Sequence, residues 1–201
     1  MSSLPLVSAL TPEDQFDSSL TKALTLFEQL RDLRSSLLQV ATMVTDTLLA
    51  GGKLMIAGNG GSASDSAHLA TEFTCRFRHD RRPYPAMALP VDGGLMTAIG
   101  NDYHFEQIFE RQVIAFGKKG DLLLALSTSG NSRNLLLALQ AARERGIQTV
   151  ALLGQAGGFT KGVAHLEIIV PGEQTARIQE AQKFLLHVLC EIVEERLPRT
   201  F

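Results

Sequence analysis

The chain has 201 residues, 45% of them hydrophobic and 20% charged, with a formal net charge of −2. That length holds one full core and is short for two domains, and the charge gives no electrostatic footing for nucleic acid or an anionic membrane. With no apolar run long enough to span a bilayer, no secretory leader pattern, and two cysteines (Cys75, Cys190) without metal or redox spacing, the expectation is a cytoplasmic protein with two reduced, buried thiols.

Residues 1–10 are apolar and uncapped and are expected to fray. Thr11-Pro12-Glu13-Asp14 opens a helix with a capping hydroxyl, proline at the first position and acids in the first turn. Apolar residues recur at helical spacing from Leu20 to Val44, which predicts one long helix, or two joined by a short break, ending at Gly51-Gly52. This segment, about 11–50, is more apolar than one outer layer needs. Two readings follow: it covers the sheet, or it also forms a subunit interface.

Strand-like runs come next: KLMIAG (53–58), AMALP (86–90), LLLAL (122–126), TVALLG (149–154) and LEIIV (166–170). They are continuously apolar rather than alternating, as strands buried on both faces are. Helices are expected near 62–76, 94–115 with interruptions, 131–145, 158–164 and 174–196. The fold expected is one α/β domain over 1–201: a parallel sheet of about five strands spanning 53–170, helices on both faces, and long terminal helices, the last over about 174–197.

Two stretches run an apolar strand into a loop of small residues and then a helix: LMIAGNGGSAS (54–64) and LLLALSTSGNS (122–132). Short side chains let backbone N–H groups point inward, and the helix N-terminus adds partial positive charge, so such loops suit an anionic group. The first meets GxGxxA spacing through Gly58, Gly60 and Ala63, but dinucleotide binding expects an acid roughly 20 residues on, at the end of the next strand; that position falls in the polar connection Arg76–Arg82, and the next strand ends much later, at Pro90-Val91-Asp92. A tight structural turn is the plainer alternative. The second, Ser127–Ser132, holds four hydroxyls in six residues and no lysine, so it is not a nucleotide P-loop. Asn131 or Ser132 can cap the following helix. Two such loops at the carboxyl ends of parallel strands point to a phosphorylated small molecule.

His68 and Glu72 stand four apart on the helix after the first loop, on one face. Gln179 and His187 stand eight apart, roughly 12 Å of helical rise, so spacing alone does not bring them to one point. Gln179 then belongs before or at the helix start, or a neighbouring subunit takes part.

The segments AGNGGSASDSAHLATEF (57–73), AIGNDY (98–103), LSTSGNS (126–132) and ARIQE…LLH (176–187) closely resemble the bacterial phosphoheptose isomerase family of the sugar-isomerase (SIS) domain superfamily, from about Gly51 to Leu197. The resemblance implies a three-layer αβα SIS domain and a homo-oligomer, a tetramer, that converts sedoheptulose 7-phosphate to D-glycero-D-manno-heptose 7-phosphate for heptose or lipopolysaccharide precursors. It further implies that Asn59, Gly60, Gly61, Asn101 and Asp102 hold the sugar and that Ser127, Thr128, Ser129 and Ser132 hold the phosphate. His68, Glu72, Gln179 and His187 match metal and catalytic positions, with one zinc per subunit, Glu72 as general base and His187 as general acid, and Glu72 and Gln179 also as substrate contacts. Ketose–aldose interconversion through an enediol needs a base for a weakly acidic C–H, a proton donor at the carbonyl oxygen and stabilisation of the developing charge. Zinc on such a set would polarise the carbonyl, although a tightly bound carboxylate is a poorer base. Three departures stand out: Ala176 where some relatives carry an acid, Gln182 where histidine is common, and an arginine-rich connection, Arg76–Arg82, that either is solvated or lies near the pocket.

Three competing functions share parts of this pattern: a non-enzymatic SIS-domain protein that binds a replication initiator, a sugar-phosphate-sensing module, and an NAD(P) oxidoreductase. The first departs at the catalytic glutamate and the second needs no acid and base, whereas this chain carries Glu72, His68 and His187.

Overall fold

In the computed structural model, which describes residues 10–200, the five apolar runs form one parallel sheet in the order β2-β1-β3-β4-β5. The strands are β1 (Leu54–Gly58), β2 (Ala86–Ala88), β3 (Leu122–Ser127), β4 (Gln148–Gly154) and β5 (Leu166–Val170). Every residue of β1 and β3 is buried. Alternate side chains serve two cores. Leu54, Ile56, Leu122, Leu124, Leu126, Val150 and Leu152 pack with the terminal helices on one face. Met55, Ala57, Leu123, Ala125, Ala151 and Leu153 pack on the other. The continuous apolar pattern therefore reflects two covered faces, as expected.

The first face carries α1 (Pro12–Gln29), α2 (Arg34–Leu49), α3 (Gly61–Thr74) and α7 (Thr175–Arg196). The second carries α4 (Gly93–Asp102), α5 (Ile108–Phe116) and α6 (Arg133–Glu144). The result is a three-layer αβα architecture. Alanines at 57, 125 and 151 on the second face meet Ala138 and Ala142 of α6, so that helix sits close to the strands.

The N-terminal segment is two helices joined by a 3₁₀ turn at Leu30–Leu33, one of the two forms expected. Thr11 caps α1 reciprocally with Asp14: its hydroxyl oxygen accepts the Asp14 N–H at 3.1 Å. Two shorter elements differ from expectation. β2 keeps only three residues because Pro90 falls in a 3₁₀ turn at Leu89–Val91. The helix expected near 158–164 is a single 3₁₀ turn, Gly158–Thr160, broken by glycines at positive φ. Residues 1–9, where fraying was expected, lie outside the described residues.

At the amino ends of the strands, buried Asp121 accepts the backbone N–H groups of Lys53 (3.0 Å) and Lys118 (2.8 Å) and pairs with the Lys53 ammonium, fastening β1 to β3. The carboxyl ends are left to the loops. Cys190 is buried, and burial pushes its thiol far up. Cys75 is exposed, which corrects the expectation that both are buried: it falls at the C-cap of α3, where the chain turns away from the core. Among the described residues no helix is long and apolar enough to cross a membrane.

Candidate active site

β1 and β3 are neighbours, with Gly58 opposite Leu126, and the chain crosses to opposite sides of β1 on either side of this pair. Both loops therefore leave one edge of the sheet at its switch point, where open α/β sheets hold ligands.

In the first loop Gly60 (φ +55°) ends the turn into α3, and no side chain caps that helix. The N–H groups of Ser62, Ala63 and Ser64 instead turn onto the loop's own carbonyls, Asn59 (3.0 Å) and Gly60 (3.0 and 3.4 Å). Asn59 exchanges two amide hydrogen bonds with Asn134, at 2.9 and 2.8 Å. That pair ties the first loop to α6, the helix that follows the second. Gly61 leaves room for the Gln179 amide: a Cβ there would lie 2.2 Å from Gln179 Nε2, so any side chain at 61 would make that amide swing aside.

The second loop folds on its own hydroxyls. Ser127 Oγ accepts the Gly130 N–H (3.0 Å) and Ser129 Oγ accepts the Asn131 N–H (3.1 Å). Ser132 occupies the N-cap position of α6 but makes no capping bond; its hydroxyl lies 3.5 Å from that of Ser127. Asn131 does not cap either, since its side-chain oxygen accepts the Phe159 N–H at 3.1 Å. Ser127, Thr128, Ser129 and Ser132 thus gather within one turn at an uncapped helix N-terminus. Gly130 (φ +67°) is the pivot, and a Cβ there would lie 2.0 Å from the Gly157 carbonyl oxygen. Gly130→Ala is expected to weaken binding of a sugar phosphate at least about tenfold, by forcing the loop off this path. Calorimetric titration checks this, with a melting curve to show that the rest of the fold persists.

α3 and α7 run side by side in the same direction. Asp65, His68 and Glu72 share one face of α3, and Gln179, Lys183 and His187 share one face of α7. His68 Nε2 lies 2.9 Å from His187 Nε2 and 3.2 Å from Glu72 Oε1. His68 Nε2 thus stands between the Glu72 carboxylate and the His187 ring nitrogen, with the donor and acceptor roles of the two rings set by their tautomers. Gln179 sits inside α7, not before its start. Its Nε2 donates to Asp65 Oδ2 at 2.9 Å, and Lys183 Nζ lies 3.3 Å from Asp65 Oδ1. The eight-residue gap is bridged by a parallel partner: Gln179 meets Gly61 and Asp65, while His187 meets His68 farther along α3.

The structure therefore brings His68, Glu72 and His187 together and holds Gln179 beside them, on Asp65. Asn101 and Asp102 end α4, exposed, with the Asn101 amide donating to the Asp102 carboxylate at 2.9 Å; neither hydrogen-bonds to the loops. Gln182, the unusual residue of α7, is buried and donates to the Leu152 (3.1 Å) and Ser127 (3.3 Å) carbonyls, which seats the second loop on α7. The Arg76–Arg82 connection is not simply solvated, because Arg81 is buried against Glu194. Asp65 and Asn134 were not singled out from sequence. Asp65 stands three residues before His68 on the same face, which is a usable signal; Asn134 offers none.

Two imidazoles and a carboxylate converging on one point have the donor chemistry of a zinc site, and a cation between them would be ligated by all three. Gln179 is turned onto Asp65, and among the described residues no group of three or more His, Cys, Asp or Glu is already spaced as a metal shell.

The family model described as SIS domain matches residues 19–154. A phosphoheptose isomerase of Akkermansia muciniphila is 48% identical over 171 residues, 85% of this chain and 90% of that protein. One from Rhodospirillum rubrum is 46% identical over 185 residues, 92% and 98% of the two chains. The solved structure of the phosphoheptose isomerase from Neisseria gonorrhoeae superposes with a TM-score of 0.88 at 35% identity, covering 92% of this chain and all of that one. With two hydroxyl- and glycine-rich loops at the switch point and an acid–imidazole group beside them, the chain belongs to the SIS-domain family and, within it, to the phosphoheptose isomerases, which are enzymes.

Proposed function

We propose that this isomerase converts sedoheptulose 7-phosphate to D-glycero-D-manno-heptose 7-phosphate, in the making of heptose precursors. The carrying observation is the meeting of Glu72 and His187 through His68, beside the hydroxyl loop. Ser127, Thr128, Ser129 and Ser132, with the N-terminus of α6, take the phosphate. Asn59, Gly60, Gly61, Asn101 and Asp102 border the sugar. Glu72, with a side chain only 15% exposed, removes the C1 proton of the ketose. His187 protonates the carbonyl oxygen at C2, which gives the enediol. Return of a proton to C2, with loss of the proton on the C1 hydroxyl, gives the aldose. His68 orients both partners.

His68, Glu72 and His187, joined by Gln179 once it leaves Asp65, would hold one zinc per subunit. Bound there, zinc supplies Lewis-acid polarisation of the carbonyl. Exposed Phe16, Leu20 and Leu24 on α1, Leu38 on α2 and Phe184 on α7 support assembly into a homotetramer. A cytoplasmic location fits a phosphorylated intermediate.

The test is turnover of sedoheptulose 7-phosphate by purified, metal-replete protein, followed by NMR. The aldose phosphate should accumulate to a fixed equilibrium ratio from either direction. Saturable binding of the ketose phosphate without turnover would instead establish a sensing module.

A further inference from the structure

The connection between α3 and β2 folds around one carboxylate. Glu194, two turns beyond His187 on α7, accepts four hydrogen bonds. The Phe77 N–H (3.1 Å) and Arg81 Nε (3.2 Å) reach Oε1; the Arg78 (2.9 Å) and His79 (3.2 Å) N–H groups reach Oε2. The Arg81 and Glu194 side chains are 1% and 3% exposed.

Arg81 spends its other donors on the end of α3. Its Nη2 reaches the Glu72 carbonyl at 2.6 Å, and its Nη1 reaches the Phe73 carbonyl at 2.9 Å and its neighbour Arg82 at 3.0 Å. The first two carbonyls belong to the last turn of α3, which has no intrahelical partner for them. The backbone held by Glu194 also sets the Phe77 ring, whose centroid lies 6.0 Å from that of His187. Together with the Tyr84 N–H, which donates to the Phe73 carbonyl at 3.0 Å, this buried ion pair fixes the helix end that carries Glu72, and it holds the aromatic wall against His187.

We propose that Arg81 and Glu194 are positioning residues for the isomerisation: they set the Glu72 carboxylate against the His187 imidazole without touching substrate. This rests on the reading of Glu72 as the base. A guanidinium suits the task, since its fixed fork reaches two helix carbonyls and a carboxylate at once. Lysine keeps the charge but reaches fewer of these acceptors.

The experiment compares Arg81→Lys with wild-type holoenzyme, and with Glu194→Asp, which keeps the charge but withdraws it by one methylene. Both are measured for kcat and KM, and for amide exchange over residues 70–75, at a temperature where melting shows each folded. Arg81→Lys is expected to lower kcat about tenfold with KM within about twofold, and to speed exchange at the end of α3, because misplacement of a reacting group acts on turnover rather than on phosphate binding. Glu194→Asp is expected to follow the same pattern and carries the test alone if Arg81→Lys does not fold. In a Glu72→Asp background, whose carboxylate is already displaced, Arg81→Lys is expected to cost less than twofold further. Wild-type kcat in the folded variants, or the same tenfold loss on top of Glu72→Asp, would overturn the positioning role and leave Glu72 as base. Full activity of Glu72→Gln, run alongside, would overturn both.

Discussion

Glu194→Ala is expected to destabilise the fold by about 3–5 kcal/mol, the usual cost of leaving one member of a buried ion pair without the other. The loss is larger than the surface of α7 suggests, because four donors lose their acceptor together: three backbone N–H groups and the Arg81 guanidinium. Glu191→Ala is the matched control. Glu191 pairs with Arg78 in the open, and such pairs contribute at most about 1 kcal/mol. Denaturant unfolding of both variants measures the difference.

The same carboxylate gives the stability a pH dependence. Burial raises the Glu194 pKa, but the backbone N–H groups of Arg78, Phe77 and His79 and the charge of Arg81 outweigh it, and the net shift is downward. A carboxylate whose folded pKa is depressed stabilises above its unfolded value, and the contribution fades as pH falls through the folded value. Wild type should therefore lose stability on acidification below the ordinary glutamate range. Glu194→Ala should start lower and lose less over the same interval. An equally steep acid limb in both proteins would place the titrating group elsewhere.

Glu72→Gln is expected to lower kcat by about 10²–10⁴, the range typical of a lost general base, while leaving the sugar phosphate bound. Glutamine keeps the shape and one acceptor oxygen for His68, so the loops stay as they are. His187→Gln should show a loss of similar kind. Neither change touches Ser127, Ser129 or Ser132, so the affinity for a sugar phosphate should stay within a few-fold of wild type. A fall in affinity with kcat unchanged would make Glu72 a binding group, not a base.

The sheet was legible because its strands are apolar without interruption from Leu122 to Leu126 and from Val150 to Leu153. Two covered faces leave no other arrangement for such runs. The start of α1 was legible in Thr11-Pro12-Glu13-Asp14. β2 was overextended because apolarity continues through Leu89 and Val91 while Pro90 stops the ladder. The segment 158–164 stops at one short turn because Gly157 and Gly158 both take positive φ, which composition alone does not display.

The candidate site was legible only in pieces. His68 and Glu72 declare themselves by spacing on one helix. Their relation to His187 needed the resemblance, since the packing of α3 beside α7 is a tertiary fact. The placement of Gln179 rests on its bond to Asp65 and on the space left at Gly61, contacts 114 and 118 residues apart that no local pattern encodes. The partners of Glu194 were hidden for another reason. Three of its four ligands are backbone N–H groups, which every residue has, so the sequence of Arg76–Arg82 displays the charge and not the fold it adopts.

A crystal structure with sedoheptulose 7-phosphate bound to the Glu72→Gln protein tests the central claim most directly. The phosphate oxygens should lie within about 3 Å of the Ser127, Ser129 and Ser132 hydroxyls or the N–H groups at the start of α6, with C1 and C2 of the sugar between residue 72 and His187. A sugar phosphate seated on these loops with its carbonyl end turned away from α3 and α7, or one bound elsewhere on the protein, would contradict it.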